Sequence, residues 1–165
     1  MKTKVTFLDR KVFVNKDKGT VAVKETGVVP LCLIDGFDKA MEISAIRKMV
    51  MNYRNHIEGV SAKAHVVDGD YLVVEASHCA KCNPEDTFDE TVGRDLASTK
   101  AQEWVFRLVA EFFGEINDEV KRLFYHTFNV MWCNNMDASF DCYSHYYDYV
   151  EKLKGDDGDN EVANE

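Results

Sequence analysis

An α+β fold is predicted by three features of the sequence. Two stretches of β-branched residues alternate at period two around short turns, both in the first half. Apolar residues then recur three and four apart through most of the second half, and the two regimes meet near residue 84. At 165 residues, with 45% hydrophobic and 12% aromatic content, the chain is too apolar to be disordered over most of its length. A domain of that size buries roughly 70% of the surface its unfolded chain exposes. The expected organisation is a single α+β domain over residues 1–154 with a disordered acidic tail at 155–165. An N-terminal antiparallel sheet of four or five strands, made of two hairpins plus one helix, would pack against a C-terminal three-helix layer.

The first hairpin is expected at 11–15 and 20–24, with Lys16-Asp17-Lys18-Gly19 as its turn. Residues 28–34 form a short apolar run interrupted by Pro30, which reads as an edge strand or a connector because proline cannot donate to a ladder. Over 38–57 the residues Met41, Ala45, Ile46, Met49, Val50, Tyr53 and Ile57 fall on one helical face, with Gly59 as a stop. A second hairpin follows at 62–67 and 71–76 around Asp68-Gly69-Asp70.

Beyond Pro84 the pattern is helical throughout. Residues 90–115 carry a wide apolar stripe that includes Leu96, Ala101, Trp104, Leu108, Phe112 and Phe113, although Gly93 costs about 1 kcal/mol relative to alanine inside it. Asn117-Asp118-Glu119 reads as the cap of a second helix carrying Val120, Leu123, Phe124, Phe128 and Met131. A break is expected at Asn134-Asn135, and a third helix at 138–153 ends before Gly155.

Charge is segregated along the chain. Residues 1–84 hold 13 Lys and Arg against 10 Asp and Glu, whereas residues 85–165 hold 7 against 19. An acidic half repels nucleic acid and attracts the proteins that bind it. Its expected exposed carboxylates are Glu85, Asp86, Asp89, Glu90, Asp95, Glu103, Glu111, Glu115, Asp118, Glu119, Asp141, Asp148 and Glu151. Of these, Glu85, Asp86, Asp89, Glu90, Glu103, Glu111, Glu115 and Glu119, with Tyr146 and Tyr147, form the candidate partner-binding set, because tyrosines are enriched at interfaces. Plain solubility is the competing reading of the same charge.

Residues 1–10 contain no apolar run of the kind a secretory signal needs, and no stretch of 18 apolar residues suggests a membrane span, so a cytoplasmic protein without a membrane partner is expected. The five cysteines are then expected as free thiols. Cys79 and Cys82 have a C-x-x-C spacing that could hold zinc with Cys133 and Cys142 or with His78, but the second pair is too widely spaced for a tight knuckle. The motif is weighed chiefly as two semi-buried side chains. Within 83–91, Asn83 reads as a helix cap, with Pro84 at the first helical position and Glu85 and Asp86 at the positive end of the dipole; the four carboxylates in six residues could also hold a cation, but the glycine and spacing of an EF-hand are missing. No hydrolase, nucleotide or zinc-protease fingerprint is present, so no catalytic residue, cofactor or metal is assigned and the chain is read as non-enzymatic. A basic patch of Lys2, Lys4, Arg10, Lys11, Lys16, Lys18 and Lys24 around Phe13 could contact phosphates. Guarding a sheet edge is the weightier reading of it.

The stretch Val12-Phe13-Val14-Asn15-Lys16-Asp17-Lys18-Gly19-Thr20-Val21 and residues 80–97, with the turn Cys82-Asn83-Pro84-Glu85-Asp86-Thr87-Phe88-Asp89, resemble segments of small accessory proteins of bacteriophages that infect Gram-positive bacteria. About 30 residues carry this resemblance. It implies a viral product acting in the bacterial cytoplasm, and many such proteins bind and block a host protein. The reading that follows is a non-enzymatic, anti-CRISPR-like inhibitor. Its acidic helical surface would mimic nucleic acid and engage a host nucleic-acid-binding protein, such as a CRISPR or other defence nuclease. The alternatives are a nucleic-acid-binding accessory protein that uses the basic hairpin, or a small zinc-stabilised adaptor.

Overall fold

The structure, a computed structural model, describes residues 5–83, 85–120 and 125–156. Lys2, Lys4, Pro84, Leu123, Phe124 and the tail from 157 onward, all named above, lie outside the described residues.

Five strands form one antiparallel sheet: β1 (Thr6–Asn15), β2 (Thr20–Pro30), β3 (Arg54–His56), β4 (Ala62–Val67) and β5 (Tyr71–Lys81), in the order β1-β2-β5-β4-β3. Both expected hairpins are present. The first pairs Asn15 with Thr20 and the second pairs Val67 with Tyr71. Asp68 and Gly69 both take positive φ in the second turn, which is the backbone that an Asp-Gly dipeptide tolerates. Alternation does what period two requires. Along β2, Val21, Val23, Glu25, Gly27 and Val29 are buried, and the residues between them are half-exposed. Leu72, Val74 and Ala76 of β5 and Ala62 and Ala64 of β4 are likewise buried.

Pro30 does not make an edge. It is the last residue of β2, an interior strand, and the chain leaves the sheet there through a short 3₁₀ turn at Leu31–Leu33. The single helix expected over 38–57 is also replaced. Two short helices, α1 (Phe37–Glu42) and α2 (Ser44–Met51), flank an extended Ile43, and the chain then pairs Arg54, Asn55 and His56 with His65, Ala64 and Lys63 as β3. The break at Ile43 lets Phe37 and Ala40 on one piece and Ile46 and Val50 on the other enter the same core.

Among the described residues the helical layer consists of two long helices where three were expected: α3 (Glu90–Val120) and α4 (Tyr125–Asp156). The polar residues read as interruptions are absorbed. Asn117 is buried within α3, and Asn135 donates its Nδ2 to the Met131 carbonyl one turn back at 2.8 Å inside α4. An asparagine that satisfies the preceding turn no longer competes with the helix. Helix α4 continues through Gly155 to Asp156.

Helix α3 lies across β5, β2 and β4 and is backed by α4. The main core is Leu31, Ile46, Leu72, Leu108, Phe112, Phe113 and Ile116 with Phe128 and Met131 of α4. Gly93 has a reason to be glycine, since a Cβ there would stand 2.7 Å from Cγ2 of Val21. Its loss of helix propensity is offset by close seating of the first turn on the sheet.

Candidate functional site

The carboxylates predicted to form one acidic surface are divided by the geometry of α3. At its N-terminus, Asp89 is the cap. One oxygen, Oδ1, accepts the backbone N–H groups of Thr91 at 2.7 Å and Val92 at 3.1 Å. Glu85, Asp86 and Asp89 are exposed and Glu90 is half-buried; Asp89 and Glu90 sit at the end of the helix whose dipole favours negative charge, and Glu85 and Asp86 lie in the turn that precedes it. At the other end, Glu111, Glu115 and Glu119 follow one another at four-residue spacing. Glu111 accepts hydrogen bonds from Arg107 at 3.2 Å and from Asn55 at 3.0 Å. Burial, with the Glu111 charge second, raises the carboxyl pKa of Glu115. From Glu90 to Glu111 the helix rises about 30 Å at 1.5 Å per residue. These side chains therefore form two separate groups.

Glu103, expected on the surface between them, is only 6% exposed. It lies under α4, where its Oε2 is 2.7 Å from Nζ of Lys100. That contact is an ion pair whose angles fall outside hydrogen-bond geometry, so the oxygen has no hydrogen-bond partner. The Lys100 ammonium is enclosed by rings. Tyr143, Trp104, Tyr146 and Tyr147 have centroids 5.1, 5.2, 5.2 and 5.7 Å from Nζ. Each ring face attracts the cation electrostatically, and more strongly where water is excluded. The cage fastens the C-terminal half of α4 to α3, so Tyr146 and Tyr147 from the predicted set act first as structural rings. His78 stands at its border, edge-on to Tyr146 at 6.4 Å. Burial lowers the pKa of this imidazole, and the Lys100 charge adds to the effect.

The solvent side of α4 is where charge and apolar surface meet. Its inner face, Phe128, Met131, Asn135 and Ser139, is buried against α3. One step around the helix, Trp132, Met136, Phe140, Tyr143 and Tyr147 follow at spacings of four, four, three and four. Trp132, Phe140, Tyr143 and Tyr147 are 41, 61, 44 and 45% exposed. One further step round, Asp137, Asp141, Ser144, Asp148 and Glu151 follow at alternating spacings of four and three, and all are exposed. An aromatic stripe thus runs beside an acidic one along a single helix.

The other predicted constellations do not assemble. Cys79 and Cys82 are free thiols, as are Cys133 and Cys142 on α4. Among the described residues, no three His, Cys, Asp or Glu side chains converge to hold a metal ion. The basic hairpin is partly neutralised within the protein: Arg10 donates Nε to Glu25 at 2.7 Å, Lys11 lies 3.4 Å from Asp9 and Lys24 donates to Glu75 at 2.9 Å. Glu25 is 1% exposed and also accepts from Ser98 at 2.8 Å. Arg10, Ser98, His145 and Tyr149 line a groove of about 270 Å³, and Cys79, Lys100 and Trp104 border another of about 440 Å³. Both mix polar groups of several kinds, with Ser98 and His145 in the first and Ser77, His78 and Cys79 in the second. No helix among the described residues is long and apolar enough to cross a membrane.

The chain matches no protein-family model, no curated protein and no solved structure. The site is therefore read from geometry alone. Sequence reasoning missed Lys100 and Asp137. Lys100 stands in a helix rich in charge, and only the arrival of α4 from about 40 residues downstream surrounds it. Asp137 could have been found from its four-residue step to Asp141, had residues 125–156 been read as one continuous helix.

Proposed function

We propose that this protein works by binding, as a non-enzymatic inhibitor of a basic, nucleic-acid-handling protein, with the outer flank of α4 as its contact surface. The supporting observation is the acidic stripe of Asp137, Asp141, Asp148 and Glu151 beside the exposed rings of Phe140, Tyr143 and Tyr147. Residues 137 to 151 span about 21 Å of helix. On one strand of duplex DNA that length holds about six phosphates at 3.4 Å each, so the stripe offers a groove lined with Lys and Arg a comparable run of negative charge. The rings supply the buried apolar anchors that charge alone lacks, since aromatic residues dominate the energetics of interface centres. The phage resemblance makes a host defence nuclease a candidate partner. The split of the α3 carboxylates shifts the mimicry onto α4.

The test is capture of a partner from bacterial lysate by the wild-type chain and by the triple variant Asp137→Lys, Asp141→Lys, Asp148→Lys, at low and high salt, with far-UV circular dichroism as the fold control. Capture by the wild type should weaken with salt, be competed by added duplex DNA, and be lost in the folded triple variant. Equal capture by both proteins would refute the assignment.

A further inference from the structure

The outermost strand, β1, has a free edge: β2 pairs with one side of it, and no described residue pairs with the other. Its exposed side chains include Leu8, Val12, Phe13 and Val14, at 67, 39, 61 and 37%. An edge with exposed apolar side chains is a template for another strand unless something blunts it, and charged side chains are one such guard. In this stretch Arg10 and Lys11 are the basic residues, and each is paired within the chain, to Glu25 at 2.7 Å and to Asp9 at 3.4 Å, which weakens the guard. A second device is present at one end. The ladder is irregular between Phe7 and Asp9, leaving Leu8 as a bulge. The hairpin turn after Asn15 closes the other end. The regular stretch is therefore 9–15, and its midpoint is Val12.

We propose that β1 pairs antiparallel with β1 of a second copy of this chain, about a two-fold axis through Val12. Side-chain parity and charge select this register. In an antiparallel pair, opposed residues point to the same face, so a two-fold must pass through a residue and not between two. Centring on Arg10 or Lys11 would set like charges directly opposite each other, which destabilises the pair. Centring on Phe13 or Val14 shortens the overlap. With the axis at Val12, each Val12 meets the other, Val14 faces Arg10 of the partner strand, Phe13 faces Lys11 and Asp9 faces Asn15. No like charges oppose across the whole segment. Val12 and Val14 pair with Val23 and Val21 in β2, so on the helix-bearing face the new contacts extend the small core of Val21, Val23 and Ala97. The two sheets become one continuous sheet across the dimer.

The experiment is sedimentation velocity on the full chain from about 1 to about 500 μM, with two kinds of variant. The wild type should pass from monomer to dimer with concentration. Phe13→Lys, a change at an exposed position, sets the new ammonium opposite Lys11 of the partner strand twice per dimer and should weaken association at least about tenfold while leaving the circular dichroism unchanged. Under mild oxidation Val12→Cys should give a dimer in which the two introduced thiols are joined to each other, identified by peptide mass spectrometry. Val14→Cys should not link to itself, because the two copies of residue 14 lie about 13 Å apart along the strands. A monomer at every concentration, or a dimer indifferent to Phe13→Lys, would overturn the proposal. Cross-linking at residue 14 in place of 12 would overturn it equally.

Discussion

Replacing Lys100 with methionine should destabilise the protein by about 4 kcal/mol, and the reason lies in Glu103 more than in Lys100. The two side chains are 13% and 8% exposed, so the pair is almost wholly withdrawn from water. Removing one partner of such a pair leaves the other charge buried and uncompensated, which costs about 3–5 kcal/mol. Loss of the ring contacts with Trp104, Tyr143, Tyr146 and Tyr147 adds about 1 kcal/mol, and methionine recovers part of it by filling the space among the rings. The double variant Lys100→Met, Glu103→Gln removes the stranded charge and should recover about 2 kcal/mol of the loss. Urea unfolding followed by fluorescence measures this directly, because Trp104 and Trp132 both report on the seam between α3 and α4. With a slope of about 2 kcal/mol per molar for a domain of this size, the single variant should shift the midpoint by about 2 M. A loss below about 1 kcal/mol in the single variant, or a double-mutant coupling within about 0.5 kcal/mol of zero, would refute the reading of this cage as the fastening of α4.

On the open face of the sheet, Glu75 bridges Lys63 at 2.8 Å and Lys24 at 2.9 Å, tying three strands together. Hydrogen bonds from Lys63 and then Lys24 hold its carboxyl at about 2, down from 4.5. A depressed carboxylate stabilises fully above its unfolded pKa, and that stabilisation is lost as pH falls through the folded one. Because both lysines are open to solvent, screening leaves about 1 kcal/mol at pH 7. The urea midpoint of Glu75→Gln should therefore fall below wild type at pH 7, with the gap more than halved by pH 3; a gap that stays constant across that range would count against the bridge. Gly27→Ala should destabilise by about 1–3 kcal/mol, because its Cβ would stand 2.8 Å from Val105 Cγ1 and 2.9 Å from Val5 Cγ1. A thermal melt equal to wild type would show that α3 yields without cost at this crossing.

The sequence by itself determined the α+β class, the two hairpins and the helical character of 90–120 and most of 125–156, because these rest on periodicity and turn chemistry that a short window contains. The apolar stripe also marks a helix from about Glu90, but the expected cap, Asn83, gives way to Asp89, six residues further on, whose carboxylate accepts the first free N–H groups of α3. Tertiary structure alone decided the rest. Whether Asn117 and Asn135 interrupt a helix or back-bond within it depends on the seam that buries them. Whether Glu103 faces water depends on an ammonium three residues away and on four rings, three of which come from another helix. The rotation of α4 on α3 sets Tyr143 and Tyr147 with one face toward that ammonium and the rest toward solvent, and with them the acidic flank on which binding is proposed. Local pattern sets strand or helix where its period is unbroken. The environment of a charged side chain is fixed only when distant segments exclude its water, and no window of sequence contains those segments together.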